Sequence, residues 1–106
     1  MFKLLKSIFG TGQKVDYIDL LKQGAVIIDV RTKGEYKEGH IKGSLNIPLH
    51  ELAHQMKMFD KDRPVLTCCA SGMRSSSAKN MLKTAGFLEV HNGGGWMSLQ
   101  NKIQEK

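Results

Sequence analysis

Residues 64–85 read PVLTCCASGMRSSSAKNMLKTA: an apolar run stops at a cysteine and passes through small residues into a helix-compatible segment. Val65 to Cys68 has the composition of a strand, and Ser75 to Ala85 places Ala78, Met81, Leu82 and Ala85 on one helical face before Gly86 ends it. A strand that gives way to a helix just past a cysteine curls the intervening N–H groups toward a common point, and the helix N-terminus adds partial positive charge. A thiol held there is biased toward the thiolate, its nucleophilic form. Ala70, Ser71 and Gly72 let the backbone approach closely, and Arg74 brings a permanent charge to the rim. Cys69 therefore reads as a nucleophile, with Ala70, Ser71, Gly72, Met73, Arg74 and Ser75 as its anion-binding cradle.

Working outward, helices and strands alternate. Asp16 is placed to cap a helix through Lys22, with Gly24 as its stop. Ala25 to Val30 is a continuous apolar and β-branched run interrupted only by Asp29, as expected of a strand buried on both faces. Thr32 and Glu35 have the spacing of a capping box, opening a short helix to about Glu38. A turn over Gly39–Gly43 precedes a short strand, Ser44 to Ile47, stopped by Pro48. Leu49, Leu52, Ala53, Met56 and Phe59 recur at helical spacing. Phe87 to His91 reads as the last strand, Gly93–Gly95 as a break, and Trp96, Leu99 and Ile103 as one face of a final helix. This alternation predicts an α/β domain with a parallel sheet, helices on both faces and catalytic groups at the carboxyl ends of the strands.

Composition excludes several alternatives. The 106 residues suit one domain with a single core, and 41% hydrophobic with 25% charged residues argues against disorder. Two adjacent cysteines cannot staple a disulfide scaffold, and no Cys/His spacing of the zinc type occurs, so no metal and no cofactor are expected. The net charge of +6 is scattered rather than gathered into a stripe with interleaved aromatics, which argues against a nucleic-acid partner and for small anions or acidic surfaces. Residues 1–13 form a short basic amphipathic arm ahead of a domain at 14–106. The arm lacks a signal-peptide pattern, and its shortness favours packing of Phe2, Leu5 and Phe9 on the domain over membrane association or partner docking. With no signal and a thiol that needs reducing surroundings, a cytoplasmic location is expected.

Taken together, the blocks Val26–Arg31, Glu35–Ser44, Asn46–Pro48, the cysteine loop, Ala85–Phe87 and Gly93–Trp96 resemble the rhodanese-like domain family of single-domain sulfurtransferases, over about Val15 to Ile103. The resemblance implies a three-layer fold with a mostly parallel five-stranded sheet. It also implies that Cys69 takes sulfane sulfur from an anionic donor of the thiosulfate or polysulfide type and passes it, as a persulfide, to cyanide or a thiol. Four residues separate Cys69 from Arg74, a C-x4-R loop, whereas related phosphatases and some arsenate reductases use a C-x5-R loop that fits a tetrahedral oxyanion; sulfur transfer is preferred. A protein-docked sulfur relay or redox-sensing module, weakly active on small donors, is the alternative from another class.

The remaining polar residues read mainly as structural. Cys68 ends the strand and should face away from Cys69 as a small core residue. Asp29 and Arg31, at a strand end, are expected to fix neighbouring loops, and His40 to stabilise a turn, all three supporting the site. Arg74 is expected at the rim, binding the donor or orienting the loop, in preference to a surface charge or an internal ion pair. Ser75 is either a hydroxyl donor or a helix cap. Met73 is expected to face outward beside the pocket, Trp96 to anchor the core, and His50, His54 and His91 to lie at the surface.

Overall fold

The central strand, β1 (Val26–Asp29), is buried along its length because neighbours flank it on both edges and helices cover both faces. In this computed structural model residues 15–104 are described, so the expected arm at 1–13 lies outside them. The elements run α1 (Tyr17–Lys22), β1, α2 (Lys33–Glu38), β2 (Leu45–Asn46), α3 (Leu49–Gln55) with a 3-10 turn at Met56–Met58, β3 (Val65–Cys69), α4 (Met73–Thr84), β4 (Val90–Gly95) and α5 (Trp96–Gln104). The strands pair in the order β2-β1-β3-β4, all parallel.

Alternation along the strands builds two cores. Val26, Ile28 and Val30 join Val65 and Cys69 beneath Leu52, Ala78 and Leu82 of α3 and α4. Ile27, Leu66 and Cys68 face the other way, onto Leu20 of α1 and Leu99 of α5, with Trp96 packed alongside. Cys68 and Cys69 thus sit on opposite faces of one strand, both almost fully buried. The α/β class, the parallel sheet and the helices on both faces match the expectation.

Several boundaries differ from it. Four strands occur among the described residues where five were implied, because the segments left between them are occupied by helices, caps and turns. The strand β3 extends one residue further, to Cys69, which pairs with Gly95. The helix α4 starts at Met73, with Gly72 at the N-cap, so Ser75 lies inside its first turn and is not the cap. The last strand is Val90–Gly95, not Phe87–His91: the three glycines continue the ladder beside β3 across a register shift between Thr67 and Cys69. Ala53, assigned to the apolar face of α3, is exposed.

Glycine is required in β4 by close approach. A Cβ on Gly93 would stand 2.8 Å from Leu99 Cδ2 and 2.9 Å from the Thr67 carbonyl oxygen. The backbone oxygen cannot move without breaking the ladder, so Gly93→Ala is expected to destabilise the fold by about 1–3 kcal/mol through overpacking. Urea denaturation checks this; an unchanged midpoint would show that β4 and α5 separate freely.

Candidate active site

The C-terminal ends of β1, β3 and β4 supply the residues around Cys69. Gly72 carries a φ of 110°, in the left-handed region that suits a residue without Cβ. That turn aims the Gly72 N–H at the Cys69 sulfur, at 3.0 Å, and the first turn of α4 adds the Ser75 N–H at 3.3 Å. The Ser75 hydroxyl lies 3.5 Å from the same sulfur. Thr67 Oγ1 donates to the Ser75 carbonyl at 2.8 Å, which ties the start of α4 to β3. Burial raises the Cys69 pKa, but hydrogen bonding with the Ser75 side chain and with the Ser75, Gly72 and Ser71 N–H groups outweighs it, and the net shift is downward. For Cys68 the balance goes the other way. Burial, then the negative charge of Asp29, pushes its pKa far up, and its neutral thiol belongs to the core.

Arg74 is half-buried and its guanidinium is engaged. Nη1 and Nη2 donate to the two carboxylate oxygens of Glu35 at 2.8 and 3.0 Å. Glu35 is held in place by its own helix: it closes the expected capping box, accepting from the Thr32 N–H at 2.9 Å while the Thr32 hydroxyl accepts from the Glu35 N–H at 3.2 Å. The Arg74 bond is the largest cause holding the Glu35 carboxyl at about 2. The carboxylate partner, the reading of Arg74 that sequence alone ranked second, is therefore present. A cavity of about 260 Å³ is lined by Arg74 together with Val30, Thr32, Pro48, Leu49 and His50.

Asp29 and Arg31 form a buried ion pair beneath these groups. Arg31 Nη2 donates to Asp29 Oδ2 at 2.8 Å, and Nε reaches both carboxylate oxygens at 3.0 Å. Nη1 and Nη2 also donate to the Glu35 and Gly39 carbonyls at 3.2 and 2.7 Å, and the guanidinium lies 4.8 Å from the Trp96 ring centroid. His40 stacks on Tyr36 at 3.7 Å between ring centroids, with Nδ1 2.7 Å from the Tyr36 carbonyl oxygen. His40, His50 and His54 are exposed, and His91 pairs with Glu89 at 2.9 Å. Met73 is 82% exposed, whereas Ser75 is fully buried. Ala70 and Ser71 lie exposed on the loop.

Two contributors were missed in the sequence. Asn92, on β4, receives the Ser75 hydroxyl on Oδ1 at 2.5 Å, and Glu35 was given only a capping role. The one available signal for Asn92 is a polar residue directly before a glycine run. Among the described residues no group of three or more His, Cys, Asp or Glu could hold a metal.

A sulfur ringed by N–H donors at the carboxyl edge of a parallel sheet defines a class of domain, and comparison places the chain within it. The profile of the Rhodanese-like domain matches residues 14–102, and the chain belongs to that family. It is 35% identical over 80 residues to the thiosulfate sulfurtransferase GlpE of Pseudomonas fluorescens, covering 76% of this chain and 73% of the relative. An uncharacterized Bacillus subtilis protein, YqhL, is 37% identical over 83 residues, covering 77% of this chain and 66% of its own length. Among solved structures, a rhodanese with anions from E. coli superposes with a TM-score of 0.68 at 34% identity, covering 71% of this chain and 91% of that one. The human single-domain sulfurtransferase TSTD1 gives 0.68 at 25% identity, covering 83% and 90%. These relatives support a sulfurtransferase activity of the rhodanese type.

The depressed Glu35 pKa sets a pH dependence. Stability from its carboxylate is fully present above the ordinary value of 4.5 and is lost as pH falls toward about 2. Because the group is partly exposed, Glu35→Gln should cost no more than about 1 kcal/mol at neutral pH. That difference should shrink as pH falls from the ordinary value of 4.5 through about 2, which denaturant titrations of both proteins across this range would read.

Proposed function

We propose that the protein is a sulfurtransferase in which Cys69 carries sulfane sulfur as a persulfide. The observation that carries this reading is the convergence of the Gly72 and Ser75 N–H groups on the Cys69 sulfur at 3.0 and 3.3 Å. With thiosulfate as donor, the Cys69 thiolate attacks the outer sulfur; the Sγ–S bond forms, the donor's S–S bond breaks, and sulfite leaves with the electron pair. The product persulfide carries its negative charge on the outer sulfur. In the second half-reaction cyanide or a thiolate attacks that sulfur, the Sγ–S bond breaks, and its electron pair returns to Sγ as thiolate. The N–H groups, fixed before either step, stabilise the charge without reorganising. Neither half-reaction requires a metal or cofactor.

The engaged state of Arg74 favours this chemistry over phosphate or arsenate chemistry. A guanidinium held bidentate by Glu35 has its charge balanced and two of its N–H groups taken, which weakens its hold on the equatorial oxygens of a dianion, whereas a sulfur anion can rest on the backbone donors alone. A thiol of this reactivity fits a reducing compartment such as the cytoplasm.

Exposed methionines lend weight to a protein thiol as acceptor. Met73 and Met97, 82% and 62% exposed, stand at the starts of α4 and α5, the helices that follow the adjacent strands β3 and β4. Apolar, flexible side chains in that position suit a docked protein surface. Met97→Glu, outside the cradle, should then slow transfer to a protein persulfide acceptor several-fold while leaving transfer to cyanide within about twofold, the cost of displacing apolar contacts falling on docking alone.

Intact-mass measurement after incubation with thiosulfate tests the main reading. A gain of one sulfur atom is expected, lost on adding cyanide, absent in Cys69→Ser and retained in Cys68→Ser. An adduct that persists in Cys69→Ser would falsify the assignment, and rapid hydrolysis of an aryl phosphate without sulfur transfer would replace it with the phosphatase reading.

A further inference from the structure

The Ser75 hydroxyl has a single proton and three neighbours that compete for it. Asn92 Oδ1 lies at 2.5 Å, the Gly72 carbonyl oxygen at 3.1 Å and the Cys69 sulfur at 3.5 Å. The competition is decided from the backbone outward. The Gly94 N–H can only donate, and it donates to Asn92 Oδ1 at 2.9 Å, so the amide oxygen is the atom that faces Ser75. An amide oxygen has no proton to offer, so the short contact requires the Ser75 O–H to point at Asn92. The hydroxyl oxygen then turns its lone pairs toward Cys69, an arrangement that accepts the S–H of a neutral thiol and disfavours a thiolate.

We propose that Asn92 is a positioning residue that sets where the Ser75 proton sits and thereby how readily Cys69 ionises. In the neutral thiol the relay runs from Cys69 S–H to the Ser75 oxygen and from Ser75 O–H to Asn92. When the thiol loses its proton to solvent, the Ser75 hydroxyl swings from Asn92 to Sγ, joining the two backbone N–H donors. No bond other than these hydrogen bonds is made or broken. Ser75 has no exposed surface, so water does not compete for its proton as it would at the rim. The inference rests on the reading of Cys69 as the nucleophile and adds to it a control on the far strand.

The charged and titratable groups near the sulfur lie elsewhere. They are Arg74 on α4 with its partner Glu35 on α2, Cys68 on β3 and the Asp29–Arg31 pair at the end of β1. His50 on α3 shares a cavity wall with Arg74, and His91 on β4 is paired with Glu89. Among the described residues, none of these side chains bonds to Ser75 or Asn92, so each keeps its partners when Asn92 is replaced.

The test is the pH dependence of iodoacetamide alkylation of Cys69, measured in the full chain carrying Cys68→Ala so that one thiol reports. Asn92→Ala frees the Ser75 hydroxyl to donate to the thiolate, and the midpoint should fall by roughly one unit, the worth of one hydrogen bond to a charged sulfur. In a Ser75→Ala background the same substitution should leave the midpoint in place. Asn92→Asp keeps an acceptor for both Gly94 and Ser75 and adds a negative charge, so it should raise the midpoint; it decides the matter if Asn92→Ala does not fold. An unmoved midpoint in Asn92→Ala, an equal shift with and without the Ser75 hydroxyl, or no rise in Asn92→Asp overturns the proposal. Alkylation reads the thiol without any sulfur donor. A chain that never loads sulfur therefore defeats the proposed function while leaving this result to stand or fall separately.

Discussion

The buried pair of Asp29 and Arg31 is the constraint on which the site depends. It sits where β1 ends, with side-chain exposures of 0% and 5%, and taking two charges out of water is expensive. The cost is offset because every charged atom is bonded: Asp29 holds the Arg31 side chain and its backbone N–H, and Arg31 also reaches the Glu35 and Gly39 carbonyls. A hydrophobic replacement could stabilise as well, but it could not grip the carbonyls of α2. By gripping them, the pair fixes the position of Glu35. Glu35 in turn holds Arg74, the second residue of the helix whose first turn cradles Cys69. One ion pair therefore reaches the sulfur through two helices and no flexible linker.

At the sulfur itself two opposing effects are separated by strand geometry. Cys68 and Cys69 are neighbours in sequence and both are buried, yet burial wins at one and hydrogen bonding at the other. The difference is direction. Cys68 points to the α1 and α5 face, near the Asp29 carboxylate, where the Arg31 charge is too little to offset burial and the neighbouring negative charge. Cys69 points to the α3 and α4 face, where the start of α4 delivers N–H groups that have no partner within their own helix. Adjacent thiols thus acquire opposite character from the two-residue period of the strand.

The sequence shows as much of this as local chemistry encodes. The apolar runs at Val26 and Val65 mark buried parallel strands because burial on both faces demands continuous hydrophobicity, and Thr32 with Glu35 marks a cap because the capping box is a four-residue device. Cys69 with its cradle is legible for the same reason: strand, small residues and helix lie consecutively. The Gly93–Gly95 run misleads, since three glycines signal a break when the neighbouring strand is out of sight. Here they are what lets β4 lie flush against the Thr67 carbonyl and Leu99. Asn92 and the second role of Glu35 are invisible for a related reason: their partners, Ser75 and Arg74, are 17 and 39 residues away. No local pattern records which strand a crossover brings alongside.

The Glu35–Arg74 pair bears on how negative charge is held in the proposed cycle. A free arginine at the rim would stabilise any anion, including a phosphate, and would add little selectivity. Tied to a carboxylate, Arg74 contributes a nearly neutral unit, and its positive field over the cradle is largely cancelled. The charge on sulfur is then left to short-range backbone dipoles at 3.0 and 3.3 Å, which act on the atom they touch and fade within a few ångströms. A compact charge on one or two sulfur atoms benefits fully from such donors, whereas a dianion spread over several oxygens leaves most of its charge beyond their reach. The selectivity proposed for this site thus follows from a cation that the fold keeps occupied.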